Sequence, residues 1–211
     1  MTSFKLPAIY PITNRELSGL SHAEQVRQLA ESGCRFVQIR EKSAPSREFY
    51  EAVVEAVSIA NRIGMKIIVN DRVDIAIAAG AHGVHLGQED MPAAEARKLL
   101  GEEAILGYST HSVEQALEAT KMPVDYIAVG PVYATTTKED PDPVIGLEGI
   151  KRIRSAVGTQ KLVAIGGINL DNVSSVISAG ADSAAIISEL YCDQSEIGLR
   201  YQALTRAAQT V

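Results

Sequence analysis

Residues 36–71 read FVQIREKSAPSREFYEAVVEAVSIANRIGMKIIVND, and this stretch decides the fold. It opens on a short apolar run, FVQIRE, continues with an amphipathic pattern from Ser46 to Gly64, and closes on a second apolar run, KIIVND. Short runs rich in Val and Ile read as strands, and the longer apolar stripe between them reads as a helix. A strand, a helix and a second strand make a parallel βαβ unit, covered on both faces. Yet Gln38, Arg40 and Lys42 share one face of the first strand, since side chains alternate with a period of two. An amide and two cations on one side belong either to an edge strand with a solvated face or, on a covered strand, to a ligand site.

The same alternation extends in both directions. Strand-like runs begin as AIYPIT at Ala8, GVHLGQ at Gly83, ILGYST at Ile105, YIAVGPV at Tyr126, LVAIGG at Leu162 and SAAIIS at Ser183. Helical patterns lie between them, such as SHAEQVRQLAESG, MPAAEARKLLG, HSVEQALEATK, LEGIKRIRSAVG and LDNVSSVISAG. Ser21 and Ser46 stand where N-caps belong, Pro92 suits a first turn, and Gly33, Gly64 and Gly101 suit exits. No linker or low-complexity tract interrupts the 211 residues, so residues 1–211 read as a single domain. Eight strand–helix alternations predict an α/β fold, a (β/α)8 TIM barrel at the small end of its size range, over an open doubly wound sheet. Polar residues gather at the strand C-terminal ends, which converge on one mouth in a barrel.

Composition narrows the function. Apolar residues make up 46% of the chain and the formal net charge is -6. That balance disfavours nucleic acid or a membrane surface as the main partner. No run approaches the length of a membrane span, and the N-terminus lacks a signal-peptide pattern. Cys34 and Cys192 have no metal spacing and read as thiols in a reducing compartment. A cytoplasmic protein with small-molecule partners is the expectation, and assembly into a homo-oligomer is compatible with the sequence.

The strand ends carry the chemistry. Arg40 and Lys42 suit a phosphate or pyrophosphate clamp. Asn70 and Asp71 end the third strand, and Asp90 follows the fourth. Asp71 alone would suit a helix cap. Paired with Asp90 opposite two cations, it suits Mg²⁺, which takes carboxylates, water and substrate phosphate oxygens. His85 reads as structural or supporting, and His82 and Glu89 as surface or turn residues. Ser109 ends the fifth strand. Its pairing with His111 as a nucleophile lacks an oriented base. Ser112 suits a cap for the helix that follows. Thr135, Thr136, Thr137 and Lys138 open the longest loop, which runs acidic from Glu139 to Pro143. Gly166 and Gly167, then Ile187 and Ser188, lie where such barrels often bind phosphate through backbone N–H groups.

In this order, QIREK, VNDR, GVHLGQED, GYSTHS, GPVYATTTK, AIGGI and IIS resemble the thiamine-phosphate synthase family, from about Ile9 to Ser188. The resemblance implies a TIM-barrel transferase. Such an enzyme joins 4-amino-2-methyl-5-hydroxymethylpyrimidine diphosphate to 4-methyl-5-(2-hydroxyethyl)thiazole phosphate, or its carboxylated form. It also implies roles by motif position. The run Gln38, Ile39, Arg40, Glu41 and Lys42 would hold the pyrimidine diphosphate together with Asn70, and Asp71 and Asp90 would bind Mg²⁺. Ser109 and Lys138 would complete the diphosphate shell, making Arg40, Lys42, Lys138 and Ser109 the catalytic group. Thr135 and Thr137 would meet the thiazole partner, Thr136 would be a further substrate-binding residue, and Gly167, Ile187 and Ser188 would bind the thiazole's phosphate. Asn14 stands where the family commonly has Asp, Ala134 where it commonly has Pro, and Glu189 has no assigned role. The alternatives are a related thiazole tautomerase, which generally lacks the full magnesium and diphosphate set, a phosphosugar or tryptophan-pathway barrel, and a catalytically silent thiamine-phosphate-binding protein.

Overall fold

A computed structural model of the chain describes residues 4–135, 142–192 and 197–209. Among the described residues eight strands close into one parallel barrel in sequence order, β1 pairing with both β2 and β8. The strands are β1 Ile9–Thr13, β2 Phe36–Ile39, β3 Lys66–Asn70, β4 Gly83–Leu86, β5 Ile105–Thr110, β6 Tyr126–Val129, β7 Leu162–Ile165 and β8 Ser183–Ile186. The helices are α1 Arg15–Ser18, α2 His22–Glu31, α3 Ser46–Asn61, α4 Val73–Ala79, α5 Ala93–Leu100, α6 Val113–Ala119, α7 Gly146–Val157, α8 Val173–Ser178 and α9 Ile197–Ala208. A 3₁₀ turn, Ser188–Tyr191, follows β8.

The period of two sorts each strand into two cores. Ile9, Val37, Ile39, Ile67, Val69, Leu106 and Ile127 face the helices and form the larger cluster. Tyr10, Ile12, Phe36, Ile68, Ile105, Tyr126, Val163 and Ala185 fill the barrel interior. Burying each large aliphatic side chain stabilises the fold by about 1.5–3 kcal/mol. Leu6 packs with the interior cluster, and Phe4 stacks on Phe36 at 5.7 Å under Lys161, so the N-terminal segment stops the barrel's lower end.

The capping expectations divide. Ser21 caps α2 by accepting from the Glu24 N–H, and Ser112 caps α6 by accepting from the Gln115 N–H. Ser46 is instead the first residue of α3, after Pro45, and its hydroxyl accepts from Arg72. Pro92 sits one residue before α5, and Gly101 ends it. Both thiols are free. Burial pushes the Cys34 thiol up to about 11, leaving it inert. Among the described residues no helix is long and apolar enough to cross a membrane.

Candidate active site

The C-terminal strand ends enclose a cavity of about 760 Å³, lined by residues from all eight strands or the loops after them. Parallel strands leave their last side chains at one rim, so donors far apart in sequence face a common space. Gln38, Arg40, Lys42, Asn70, Asp71 and Asp90 supply one wall. Thr135, Gly166, Gly167, Ile187 and Ser188 line it elsewhere, with Ile165 and Ala185 adding apolar surface.

The cation and carboxylate wall is built by tight turns. Asp71 is the one non-glycine residue with positive φ (63°) among the described residues. Such a conformation costs on the order of 1–3 kcal/mol and persists where surroundings enforce it. Its N–H donates to the His85 carbonyl at 2.8 Å, and its Oδ2 meets Lys42 Nζ at 2.5 Å. Asp71 is not a helix cap: Arg72 occupies that position at α4 and makes no side-chain capping bond. Asp90 Oδ2 accepts from the Gly87 N–H at 2.6 Å. Burial pushes the Asp90 carboxyl up, and the neighbouring Asp71 carboxylate adds to the shift. Two adjacent carboxylates are a donor set for a hard divalent cation. The pair fits Mg²⁺, which would take its remaining ligands from water and substrate. Asn70 Nδ2 is buried without a partner at the same wall, a donor that an incoming acceptor would satisfy.

A polar network crosses the floor. Gln38 Nε2 donates to Tyr10 Oη at 3.1 Å, and Tyr10 Oη meets Tyr126 Oη at 3.0 Å. Tyr126 Oη lies 3.0 Å from His85 Nδ1, and His85 Nε2 lies 2.8 Å from Ser109 Oγ. Burial holds the His85 imidazole down to about 4, against the opposing pull of Asp90. Ser109 therefore pairs with His85, not His111. His111 Nδ1 donates to the Gly130 carbonyl at 2.8 Å and lies 3.3 Å from Asp142. His85 and both tyrosines line or floor the site. Residue type marks His85 as structural or supporting, which is its place beside Ser109, but it does not mark the two tyrosines, because each looks like core.

Two residues of the QIREK run point elsewhere. Ile39 is wholly buried in the layer between barrel and helices, so it offers a ligand no side chain. Glu41 lines a second hollow of about 560 Å³ between the loops after β1 and β2. Burial pushes its carboxyl up. Bonds from the Ser43 N–H and hydroxyl and from the Ala44 and Lys42 N–H groups prevail and hold it at about 2. Arg15 and His22 lie 3.4 and 3.5 Å away. Glu41 shapes the loop that carries Lys42. Thr13 Oγ1 accepts from the Arg40 N–H at 3.3 Å and pairs with His22 Nδ1 at 2.8 Å, tying β1 to the same loop.

Asn14 caps α1 by accepting from the Leu17 N–H, and Glu189 pairs with Arg200 at 3.0 Å, joining the turn after β8 to α9. His82 is half-buried, with Nδ1 accepting from the Ile67 N–H. Gly166 and Gly167 have φ of 103° and 62°. A Cβ there would lie 2.6 Å from Pro131 and 2.5 Å from the Ala134 carbonyl, so the pair also lets the loop after β6 pack closely. Thr136, Thr137 and Lys138 lie outside the described residues.

The chain is similar to known proteins over most of its length. Residues 9–190 match the family model described as thiamine monophosphate synthase. A thiamine-phosphate synthase of Syntrophomonas wolfei is 45% identical over 87% of this chain and 88% of its own. One of Clostridium novyi is 43% identical over 86% and 89%. A solved thiamine phosphate pyrophosphorylase of Pyrococcus furiosus superposes with a TM-score of 0.83 at 37% identity, covering 95% of this chain and 96% of that one. A tryptophan synthase alpha-subunit of the same organism, 15% identical with a TM-score of 0.71, shares the fold alone.

Proposed function

Since the chain belongs to the thiamine monophosphate synthase family of transferases, we propose that it couples the hydroxymethylpyrimidine diphosphate to the thiazole phosphate, or its carboxylated form, releasing pyrophosphate. One observation carries the reading. Gln38, Arg40, Lys42, Asn70, Asp71 and Asp90 meet on one wall of one cavity, from three adjacent strand ends. Cations, an amide pair and two carboxylates together match an aminopyrimidine bearing a diphosphate and a metal.

The electron-rich aminopyrimidine stabilises positive charge at its exocyclic methylene. The carbon–oxygen bond to diphosphate therefore breaks early, and the electron pair leaves with the oxygen. The thiazole nitrogen then donates its lone pair to that methylene, forming the carbon–nitrogen bond of the thiazolium product. Arg40 and Lys42 counter the charge growing on the departing diphosphate, and Ser109 donates a hydrogen bond to it. Groups preorganised toward developing charge usually supply the largest catalytic contribution. Gln38 and Asn70 orient the pyrimidine. Gly167, Ile187 and Ser188 hold the thiazole phosphate, placing its nitrogen within reach. Asp71 and Asp90 would hold Mg²⁺, which when bound neutralises part of the diphosphate charge.

Incubating the protein with both substrates and Mg²⁺ should yield thiamine phosphate and pyrophosphate in equal amounts, and chelation should abolish both. Absence of product under saturating conditions, or indifference to chelator, would overturn the reading. Asp71→Ala should depress turnover far more than affinity for the thiazole phosphate. Equal losses would count against the metal assignment.

A further inference from the structure

We infer that Tyr126 is a positioning residue, which through His85 fixes the direction in which the Ser109 hydroxyl presents its hydrogen to the cavity. The inference deepens the proposed function and rests on Ser109 acting as a donor there. The network is a single file of five side chains from five strands: Gln38, Tyr10, Tyr126, His85 and Ser109. Each link is 2.8–3.1 Å long. A hydroxyl carries one hydrogen and a neutral imidazole one N–H, so the direction of one link sets the next.

Two directions satisfy the file. Either every hydrogen points from Gln38 toward Ser109, or every hydrogen points back. The Gln38 end selects between them: its amide nitrogen can only donate to Tyr10, whose own hydrogen has no protein acceptor among the described residues other than Tyr126 Oη. Tyr10 then donates to Tyr126, and Tyr126 to His85 Nδ1. His85 Nε2–H donates to Ser109 Oγ. The Ser109 hydrogen is left for the cavity, and so is the Gln38 carbonyl oxygen. An anion needs the first, and an exocyclic amino group the second. The reverse direction would turn the Ser109 hydrogen onto His85 and offer an anion only lone pairs.

The fold makes room for this file at a cost. Tyr126 crosses the interior where residue 107 of β5 would carry a Cβ, and a Cβ there would lie 2.1 Å from its ring. Glycine at 107 is thus required by the tyrosine. The His85 and Tyr126 rings stack at 5.5 Å with 20° between their planes, which limits rotation of the imidazole. Tyr10 and Tyr126 are 1% and 0% exposed, so the middle of the file is shielded from bulk water.

The test needs no catalysis. Long-range proton–nitrogen NMR of ¹⁵N-histidine-labelled protein reads the tautomer of each of the four histidines, and His85→Gln assigns the signal. The inference expects His85 protonated at Nε2. Protonation at Nδ1 would overturn it, whether or not the protein makes thiamine phosphate. Tyr126→Phe should leave the two tautomers mixed and lower kcat about tenfold, with a smaller change in KM for the pyrimidine diphosphate. On a Ser109→Ala background the same change should cost less than about threefold. A full additional tenfold loss there would mean that Tyr126 only supports the fold, and would also overturn the inference. Tyr10→Phe provides the second variant, with the same coupling to Ser109 expected.

Discussion

Arg40 stands one residue beyond the last paired position of β2, half-buried at the cavity wall, with its backbone N–H held by Thr13. Its guanidinium is tethered at the root and free to meet an anion. Arg40→Ala should therefore lower kcat by about two to three orders of magnitude. Steady-state rates with both substrates check this; a loss confined to KM would show that Arg40 only binds. The neighbouring His22 gives a pH prediction. Burial lowers its pKa from 6.5, against the opposing pull of Glu41. The folded state thus binds the proton less readily than the unfolded chain, so stability falls as pH drops below about 6.5. Urea midpoints between pH 7.5 and 5, roughly bracketing the histidine range, should decline, and His22→Gln should flatten the slope. A midpoint that rises on acidification would place a charged His22 beside Glu41. The QIREK run was only half legible. Alternation assigned Gln38 to the interior correctly. Ile39 and Glu41 entered with their motif, although the same alternation turns both away.

Between elements, a clamp recurs at the lower rim. Arg97 of α5 donates to the carbonyls of Gly101, Ala104 and Pro123 and to Asp125, which accepts from the Leu106 N–H. Arg154 of α7 does the same with Gly158, Gln160, Gly180 and Asp182, which accepts from the Leu162 N–H. Arginine and aspartate are 28 residues apart in both. Each clamp fastens a helix to the two strands that follow it. The Arg97 pair is nearly buried, with side chains 10% and 9% exposed, whereas the Arg154 pair is open to water. Arg97→Met should cost about 3 kcal/mol, because it strands Asp125 in a poorly solvated place. Arg154→Met should cost about 1 kcal/mol. Chemical denaturation measures both, and kcat should stay unchanged in each. Nothing marked these residues in the sequence, since an arginine in a helix's last turns reads as surface. Their meaning depends on where the chain returns.

Across the whole molecule the two ends of the barrel divide the work. The lower end is stopped by Phe4 and held by the clamps, while the upper end holds the polar cavity. Phe4→Ala should lower stability by about 1–2 kcal/mol and leave kcat and KM intact. Thermal melts and steady-state kinetics on one preparation test that separation, and a parallel loss of activity would deny it. Local pattern along the chain is enough to read the alternation of strands and helices, where each strand starts to within one residue, and which polar groups end the strands. Backbone hydrogen bonding and side-chain alternation act over a few residues, so a local pattern records them. Only closure of the barrel decided which of those groups meet. Tyr10 and Tyr126 touch across 116 residues, and Ser109 finds His85 rather than the nearer His111. Those contacts are set by strand tilt and register around the ring, which no short stretch of chain encodes.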